Sequence, residues 1–202
     1  MTFPLNPREF ESVHGRPTVD DSAASLAVRA AREGDRSAFG RLYQEFAPMV
    51  HGILLARVPL VEVDDLVQDV FLRAFTRIRS LRDEASFGGW LASITRNRAN
   101  DYHRSPREVP EALETDVEDA RADSSQIEAE AILALIRSLP EAYRETLILR
   151  LVEGMTGPEI AARTGLTPGS VRVNLHRGMQ QLRKKLGDRE ALRPQVDQQE
   201  TG

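Results

Sequence analysis

The stretch from Leu166 to Leu186, LTPGSVRVNLHRGMQQLRKKL, contains no carboxylate, although the chain of 202 residues has a formal net charge of -4. Its basic residues are Arg172, Arg177, Arg183, Lys184 and Lys185. A purely cationic segment in an acidic protein indicates a polyanionic partner such as nucleic acid, because Lys and Arg neutralise phosphates. A basic amphipathic helix on a solvated surface explains the charge pattern, taken alone, about equally well.

A second stretch with nucleic-acid chemistry is FGGWLASITRNRANDYHR, residues 87–104, which interleaves aromatic, Arg and Asn residues. Aromatic faces stack on unpaired bases and Arg binds the backbone, while Asn can pair with an adenine edge. The combination favours separated strands over intact duplex. Trp90, Leu91 and Ile94 lie at helical spacing, which is more typical of core residues than of a stacking platform.

The sequence offers little for catalysis. It has no phosphate-cradling glycine loop, no paired-His metal signature and no nucleophile elbow. Absence of cysteine excludes disulfides and thiolate metal sites. Asp64, Asp65 and Asp69 could approach a metal, but no fourth ligand is near them in sequence. We therefore expect a protein that is not an enzyme and that needs no metal and no cofactor.

Apolar periodicity predicts helices throughout both segments that must position these residues. Before residue 104 we expect four: an Ala-rich helix ending near Gly34, a long one kinked or split at Pro48, one starting near Asp64, and one from about 86 to 104. After the middle of the chain four more are predicted, at about 126–138, 140–153, 157–164 and 168–186. The expected fold class is all-α.

The last two predicted helices have the layout of a helix-turn-helix motif. Small residues in the first helix permit close packing, and Gly165 supplies a turn that tolerates positive φ. Inward-facing positions of the second helix are Val171, Leu175, Met179, Leu182 and Leu186. In this motif the second helix enters the major groove, and its first turns reach base edges.

Charge divides the chain into segments. Residues 23–104 include 12 basic and 10 acidic residues, and residues 132–186 include nine basic and four acidic residues. Residues 105–131, in contrast, include two basic and nine acidic residues. We therefore predict two small helical domains, 23–104 and 126–186, joined by a flexible acidic linker at 105–125, with a disordered extension (1–22) and tail (187–202). A coil of about 20 residues reaches roughly 25 Å, so the domains need not touch.

No apolar run is long enough to cross a bilayer, and the N-terminus lacks the pattern of a signal peptide. We therefore expect a cytoplasmic protein without membrane insertion.

These pieces, in this order, resemble the extracytoplasmic-function (ECF) sigma factors, the minimal sigma subunits of bacterial RNA polymerase. Four segments carry the resemblance: GDRSAFGRLYQEFAPMV, DDLVQDVFLRAF, FGGWLASITRNRANDYHR and the long stretch from LPEAYRETL to LRKKL. They are similar, respectively, to the start of sigma region 2, its polymerase-binding helix, its minus-ten helix, and sigma region 4. The resemblance covers about residues 23–186 and departs at both ends.

The resemblance implies partners and roles. Core RNA polymerase would be bound through the clamp coiled coil of its large subunit, by Asp65, Leu66, Gln68, Asp69 and Phe71. The opened minus-ten strand of promoter DNA would be contacted by Trp90, Arg96, Asn97, Asn100, Asp101 and Arg104. The minus-thirty-five element would be read by Ser170, Arg172, Val173, Asn174, His176 and Arg177. An anti-sigma factor is a further expected partner.

The alternative function is a helix-turn-helix transcriptional regulator that acts without sigma activity. Such a regulator would need neither the aromatic-Arg-Asn segment nor a charged docking helix, and it should bind duplex DNA tightly by itself.

Overall fold

The computed structural model of the protein describes residues 21–104 and 124–191, and all regular structure within these ranges is helical. The all-α prediction is therefore confirmed. The helices extend slightly into each segment predicted to be irregular, because α1 begins at Asp21, α5 begins at Ser124 and α8 runs to Ala191. The rest of the predicted extension, linker and tail lies outside the described residues.

The described chain forms two groups of four α-helices. The first helical group comprises α1 (Asp21–Arg32), α2 (Arg36–Leu55), α3 (Val63–Arg77) and α4 (Phe87–Arg104). The second helical group comprises α5 (Ser124–Arg137), α6 (Glu141–Leu151), α7 (Gly157–Thr164) and α8 (Pro168–Ala191). Short 3-10 turns at Leu60–Glu62, Ile78–Ser80 and Glu84–Ser86 connect α2 to α3 and α3 to α4.

Helix α2 is the central element of the first helical group and packs against α1, α3 and α4. Asp35 caps its N-terminus, because the Asp35 carboxylate accepts from the backbone N–H groups of Ser37 (2.8 Å) and Ala38 (3.1 Å) and so satisfies two donors at the helix start. Of the kink or split predicted at Pro48, the split does not occur, because the helix runs through this residue to Leu55. Most residues of the following turns are buried, and this packing favours the helix despite the backbone hydrogen bond that proline cannot make.

In the second helical group α6 packs against α8, and α7 lies against both. Pro140 immediately precedes α6, and Pro158 lies in the first turn of α7. Within the described ranges, no helix combines the length and the apolar character needed to cross a membrane.

The two helical groups pack against each other. Helix α4 lies along α7, helix α2 lies along α6, and a single cluster of buried apolar side chains has members in both groups. Glycines permit the closest approach: a Cβ on Gly88 would lie 2.7 Å from the carbonyl oxygen of Arg163, and one on Gly52 would lie 2.8 Å from Leu149 Cδ2. We call this packing the closed arrangement.

Candidate nucleic-acid and protein interfaces

The helix-turn-helix is built by two local sequence signals. At the start of α7, Thr156 and Glu159 form a capping box, in which the Thr156 backbone N–H donates to the Glu159 carboxylate (2.8 Å). At its end Gly165 adopts φ of 73°, a left-handed conformation that L side chains adopt only with strain. These signals fix where α7 begins and ends, and therefore where α8 can start.

Helix α8 is fixed at its first turn and along one face. Thr167 Oγ1 accepts from the backbone N–H of Ser170 (3.1 Å) at the helix start. Val171 and Leu182 are buried, and Leu175, Met179 and Leu186 pack at the margin of the core, which confirms the predicted inward face. Sequence reasoning missed Gly178, where a Cβ would lie only 3.0 Å from Leu147 Cδ1; a glycine inside a helix is the signal for such close packing.

The predicted minus-thirty-five residues lie on the open side of α8. Asn174 is half-buried and the other five are exposed: Ser170, Arg172, Val173, His176 and Arg177. Val173 is an apolar residue with 43% of its surface exposed, which suits contact with a thymine methyl group or a partner surface. The face of α8 that the sequence assigns to DNA therefore carries charged and apolar groups that are accessible.

The predicted minus-ten residues on α4 are divided between solvent and the interior. Four of them are exposed: Asn97, Asn100, Asp101 and Arg104. Trp90 is half-buried against the ring of Phe87, at 5.8 Å between ring centroids. This places Trp90 at the edge of the core, in keeping with its helical spacing. Arg96 is half-buried and faces the second helical group.

Arg96 and Arg57 share one buried carboxylate, Glu145 of α6, and we call these three residues the Glu145 cluster. Arg96 donates from Nη2 to Oε1 (2.7 Å) and from Nε to Oε2 (3.1 Å), and Arg57 donates from Nη2 to Oε2 (2.8 Å). Burial alone raises the pKa of Glu145, but the hydrogen bonds and charges of Arg96 and Arg57 outweigh burial and hold the pKa below its ordinary value. The carboxylate is therefore ionised at neutral pH.

Nothing in the sequence marks Glu145 as special, because it is one of many Glu residues on a predicted helix. Its partners are 88 and 49 residues away along the chain. Only the packing of the two helical groups brings the three side chains together.

The predicted docking residues of α3 are also divided. Asp65 and Gln68 are exposed, whereas Leu66 and Phe71 are only 3% and 4% exposed and pack in the core. The side chains of Leu66 and Phe71 are therefore not available for direct docking in this structure. Leu72, which the sequence reading passed over, is 63% exposed one helical turn from Gln68.

Asp69 connects α3 to α4. Its carboxylate accepts from Arg98 of α4 and from Arg73 Nε at 3.3 Å, and the second contact is an i, i+4 pair within α3. Burial by itself raises the pKa of Asp69. The hydrogen bond from Arg98 and the charges of both arginines have the larger, opposite effect, so the pKa of Asp69 is below its ordinary value. Asp69 thus connects α3 to α4, and its carboxylate is engaged by two arginines within the first helical group.

The described chain therefore combines a helix-turn-helix, whose second helix is exposed and basic, with a further helical group that carries a face of Arg and Asn residues, as expected for the class of DNA-binding proteins. Comparison with known proteins specifies the family. The model of sigma-70 region 2 matches residues 42–108, and that of sigma-70 region 4 matches residues 129–182. The chain is 33% identical to the ECF RNA polymerase sigma factor SigD of Mycobacterium tuberculosis over 183 residues, which cover 84% of this chain and 86% of SigD.

Other relatives agree. The chain is 30% identical to the ECF RNA polymerase sigma factor BldN of Streptomyces coelicolor, with 87% of this chain and 71% of BldN covered. Among solved structures, CnrH in complex with the cytosolic domain of CnrY superposes with a TM-score of 0.60 at 24% identity, over 82% of this chain and 98% of CnrH. The chain belongs to the ECF RNA polymerase sigma factors, so the function predicted from sequence is confirmed at that level and the regulator alternative is not favoured.

Proposed function

We propose that this sigma factor acts in the cytoplasm by guiding core RNA polymerase to promoters through three surfaces, without catalytic chemistry of its own. Helix α8 reads the minus-thirty-five element in duplex DNA, helix α4 holds the opened minus-ten strand, and helix α3 docks on the clamp coiled coil. The observation that carries the proposal is the exposed reading face of α8, held by a capped α7 and by the left-handed turn at Gly165.

The decisive experiment is transcription in vitro with core polymerase freed of other sigma factors and with genomic DNA as template. We expect discrete start sites that depend on the added chain, and mapping them gives the promoter sequences. A complete absence of chain-dependent starts would overturn the proposal. A gel shift with a mapped duplex promoter and no polymerase distinguishes the regulator, since a regulator binds tightly alone.

The docking surface is proposed as Asp65, Gln68 and Leu72, which lie on one exposed stripe of α3, with Asp69, Leu66 and Phe71 shaping it from beneath. The double variant Asp65→Arg with Leu72→Arg should reduce co-purification with core polymerase by at least about tenfold. Asp65→Arg reverses a charge on the docking surface, and Leu72→Arg introduces a charge that would be buried in the complex. Glu33→Arg with Leu26→Arg is the matched control, since Leu26 is 61% exposed on α1. Equal losses in both variants would reject the α3 assignment.

An anti-sigma factor is the second protein partner that we propose, as expected from the family. CnrH, which shares the fold, is solved in complex with the cytosolic domain of CnrY. The proposal is tested by purifying the tagged chain from its own cells and identifying the proteins that co-purify. The α3 double variant is purified in parallel, because it should lose core polymerase. A co-purifying protein that suppresses transcription in vitro is the expected result.

A further inference from the structure

At the edge of α4 that faces α3, four charged side chains form a chain of ion pairs, which we call the Asp69 cluster: Arg98, Asp69, Arg73 and Asp101. The Asp69 carboxylate accepts from Arg98 and, at 3.3 Å, from Arg73 Nε. Arg73 Nη1 in turn lies 3.4 Å from Asp101 Oδ2. The two positive and two negative charges cancel, so the cluster as a whole offers DNA no net electrostatic attraction.

The Asp69 cluster borders the face of α4 that is proposed for the minus-ten strand. Asp101 is exposed and belongs to both the cluster and that face. The side chain of Arg73 is 38% exposed and that of Arg98 is 19% exposed. Two arginines thus lie beside the proposed path of the strand, and both are already paired with carboxylates.

An arginine at such an edge changes DNA binding in a way that depends on its partner. An arginine that binds a phosphate raises the affinity for every sequence, because the contact releases a counterion and reads no base. A carboxylate paired with that arginine occupies the N–H donors that a phosphate would take, and it repels the phosphate itself. Pairing with Asp69 therefore favours base contacts over sequence-independent contacts along this edge.

Helix α8 has the opposite arrangement. Its stretch from Leu166 to Leu186 contains no carboxylate, and Arg172, Arg177 and Lys184 are exposed on it. The two helical groups, which we also call the two modules, therefore differ in their electrostatics. The module of α8 carries unneutralised cations for phosphates, whereas the module of α4 keeps two of its arginines on carboxylates.

We propose that Asp69 is a specificity-determining residue, which holds Arg73 and Arg98 away from the phosphate backbone so that strand binding by α4 depends on base contacts. Asp69 touches no base itself and acts through the two arginines, so it is a positioning residue. This inference rests on the proposed function, because it assigns the exposed face of α4 to the opened minus-ten strand.

The test measures how assembled holoenzyme binds two labelled single strands, one with a mapped minus-ten sequence and one with a scrambled sequence, at several salt concentrations. Holoenzyme is isolated by gel filtration after assembly with excess chain, so that each polymerase carries one chain whatever the docking affinity. In Asp69→Asn we expect a salt slope steeper by about 0.7, the value for one further phosphate on a single strand. The scrambled strand should then bind about fivefold more tightly at about 0.1 M salt.

The preference of Asp69→Asn for the mapped strand over the scrambled strand should fall by at least about twofold. A strand in register has its backbone path fixed by its base contacts, whereas a scrambled strand can shift onto the released arginines. Asp69→Glu keeps the carboxylate and should restore the preference. Glu33→Gln is the matched control, because it makes the same change in charge at an exposed residue just after α1, and it should bind both strands as the wild type does.

A double variant tests the same inference with the net charge unchanged. Asp69→Asn with Arg98→Gln removes one charge of each sign, so its salt slope and its strand preference should return to the wild-type values. Arg104→Gln calibrates the measurement, because Arg104 is exposed on the DNA face of α4 and its loss should flatten the slope by about 0.7. A double variant with a flatter slope than the wild type would show that Arg98 already binds phosphate, and it would overturn the proposal even if Asp69→Asn alone does not fold.

A purely structural role of Asp69 gives a different result. If Asp69→Asn folds by circular dichroism and binds both strands with the wild-type slope, or binds both more weakly, the proposal is wrong. Failure of the proposed function is separate, since it would appear as an absence of chain-dependent transcription starts with the wild-type chain. If the wild-type chain starts transcription and Asp69→Asn discriminates between the strands equally well, the function stands and only the role of Asp69 is lost.

Discussion

The DNA-binding face proposed for α8 differs from the one proposed for α4 in how far its side chains are exposed. On α8 five of the six predicted DNA-contacting residues are exposed, and apolar residues on the opposite side of the helix pack in the core. On α4 four of the predicted DNA-contacting residues are exposed, but Arg96 binds the carboxylate of Glu145 in the second helical group. The difference shows that the face proposed for duplex DNA is accessible, whereas the face proposed for the minus-ten strand has one of its arginines engaged within the chain.

The largest expected effect concerns whether the two modules unfold together. Leu91 of α4 and Leu147 of α6 are both fully buried, one in each module. Leu91→Ala and Leu147→Ala should each lower the free energy of unfolding by about 2–5 kcal/mol through lost burial and a cavity. Because Trp90 is the single tryptophan, its fluorescence in urea follows the first module.

If the closed arrangement unites the modules, Leu147→Ala shifts the urea transition seen by Trp90 as well as that seen by circular dichroism. A Trp90 transition unchanged by Leu147→Ala, with a second transition in the circular dichroism, would show that the modules unfold independently. The faces of α4 and α8 would then belong to two domains that fold independently.

The next largest effect is a difference in stability between two variants of α4, one at Arg96, which binds Glu145, and one at Asn100, which is exposed. Arg96→Ala should lower the free energy of unfolding by about 1–3 kcal/mol, because it removes charged hydrogen bonds to buried Glu145. Asn100→Ala, on the exposed side of α4, should leave unfolding within about 0.5 kcal/mol of the wild type. Both should weaken promoter opening in transcription assays. Equal stability of the two variants would contradict the role given to Arg96.

Within α8 a smaller contrast is expected between reading and neutralising residues. Arg172→Ala should cost about 1–3 kcal/mol at promoters that carry its preferred base and little at others. Lys184→Ala should weaken binding uniformly and reduce the salt slope by about one. Both side chains are exposed, so neither change should affect folding. Polymerase holoenzyme binding to matched promoter variants at several salt concentrations supplies the measurement.

The smallest effect concerns pH at the module interface. His51 Nδ1 lies 2.6 Å from Glu153 Oε1, and this hydrogen bond, opposed by burial and aided by the charges of Glu153 and Asp64, raises the pKa of His51. A raised folded-state pKa gives stability that is complete below about pH 6.5 and is lost as pH rises through the folded-state value.

Stability should therefore fall modestly as pH rises from about 6 to 8, and His51→Gln should flatten that part of the profile. Denaturant midpoints at intermediate pH values measure it. An unaltered slope in His51→Gln would assign the pH dependence to another group.

The local elements of the candidate site follow from sequence because their causes are local. The capping box at Thr156, the turn at Gly165 and the inward face of α8 each depend on residues within a few positions of one another. Pro48 shows the limit of such reasoning, since its local penalty is outweighed by burial that depends on other helices.

The burial of Leu66 and Phe71 shows a second limit. Apolar residues beside exposed Asp and Gln can equally form a docking surface or a core, and periodicity alone does not separate the two. Packing of α3 against α2 and α4 decides the matter, and it leaves Leu72 on the outside instead.

By itself the sequence determined an all-helical chain of two cationic modules, the helix-turn-helix and the family, because periodicity, capping residues and charge act over short stretches. Only the tertiary structure decided that the modules touch and that Arg57, Arg96 and Glu145 meet. The physical reason is distance along the chain: an ion pair between residues 49 or 88 positions apart exists only where packed helices bring them together, and no local pattern encodes it.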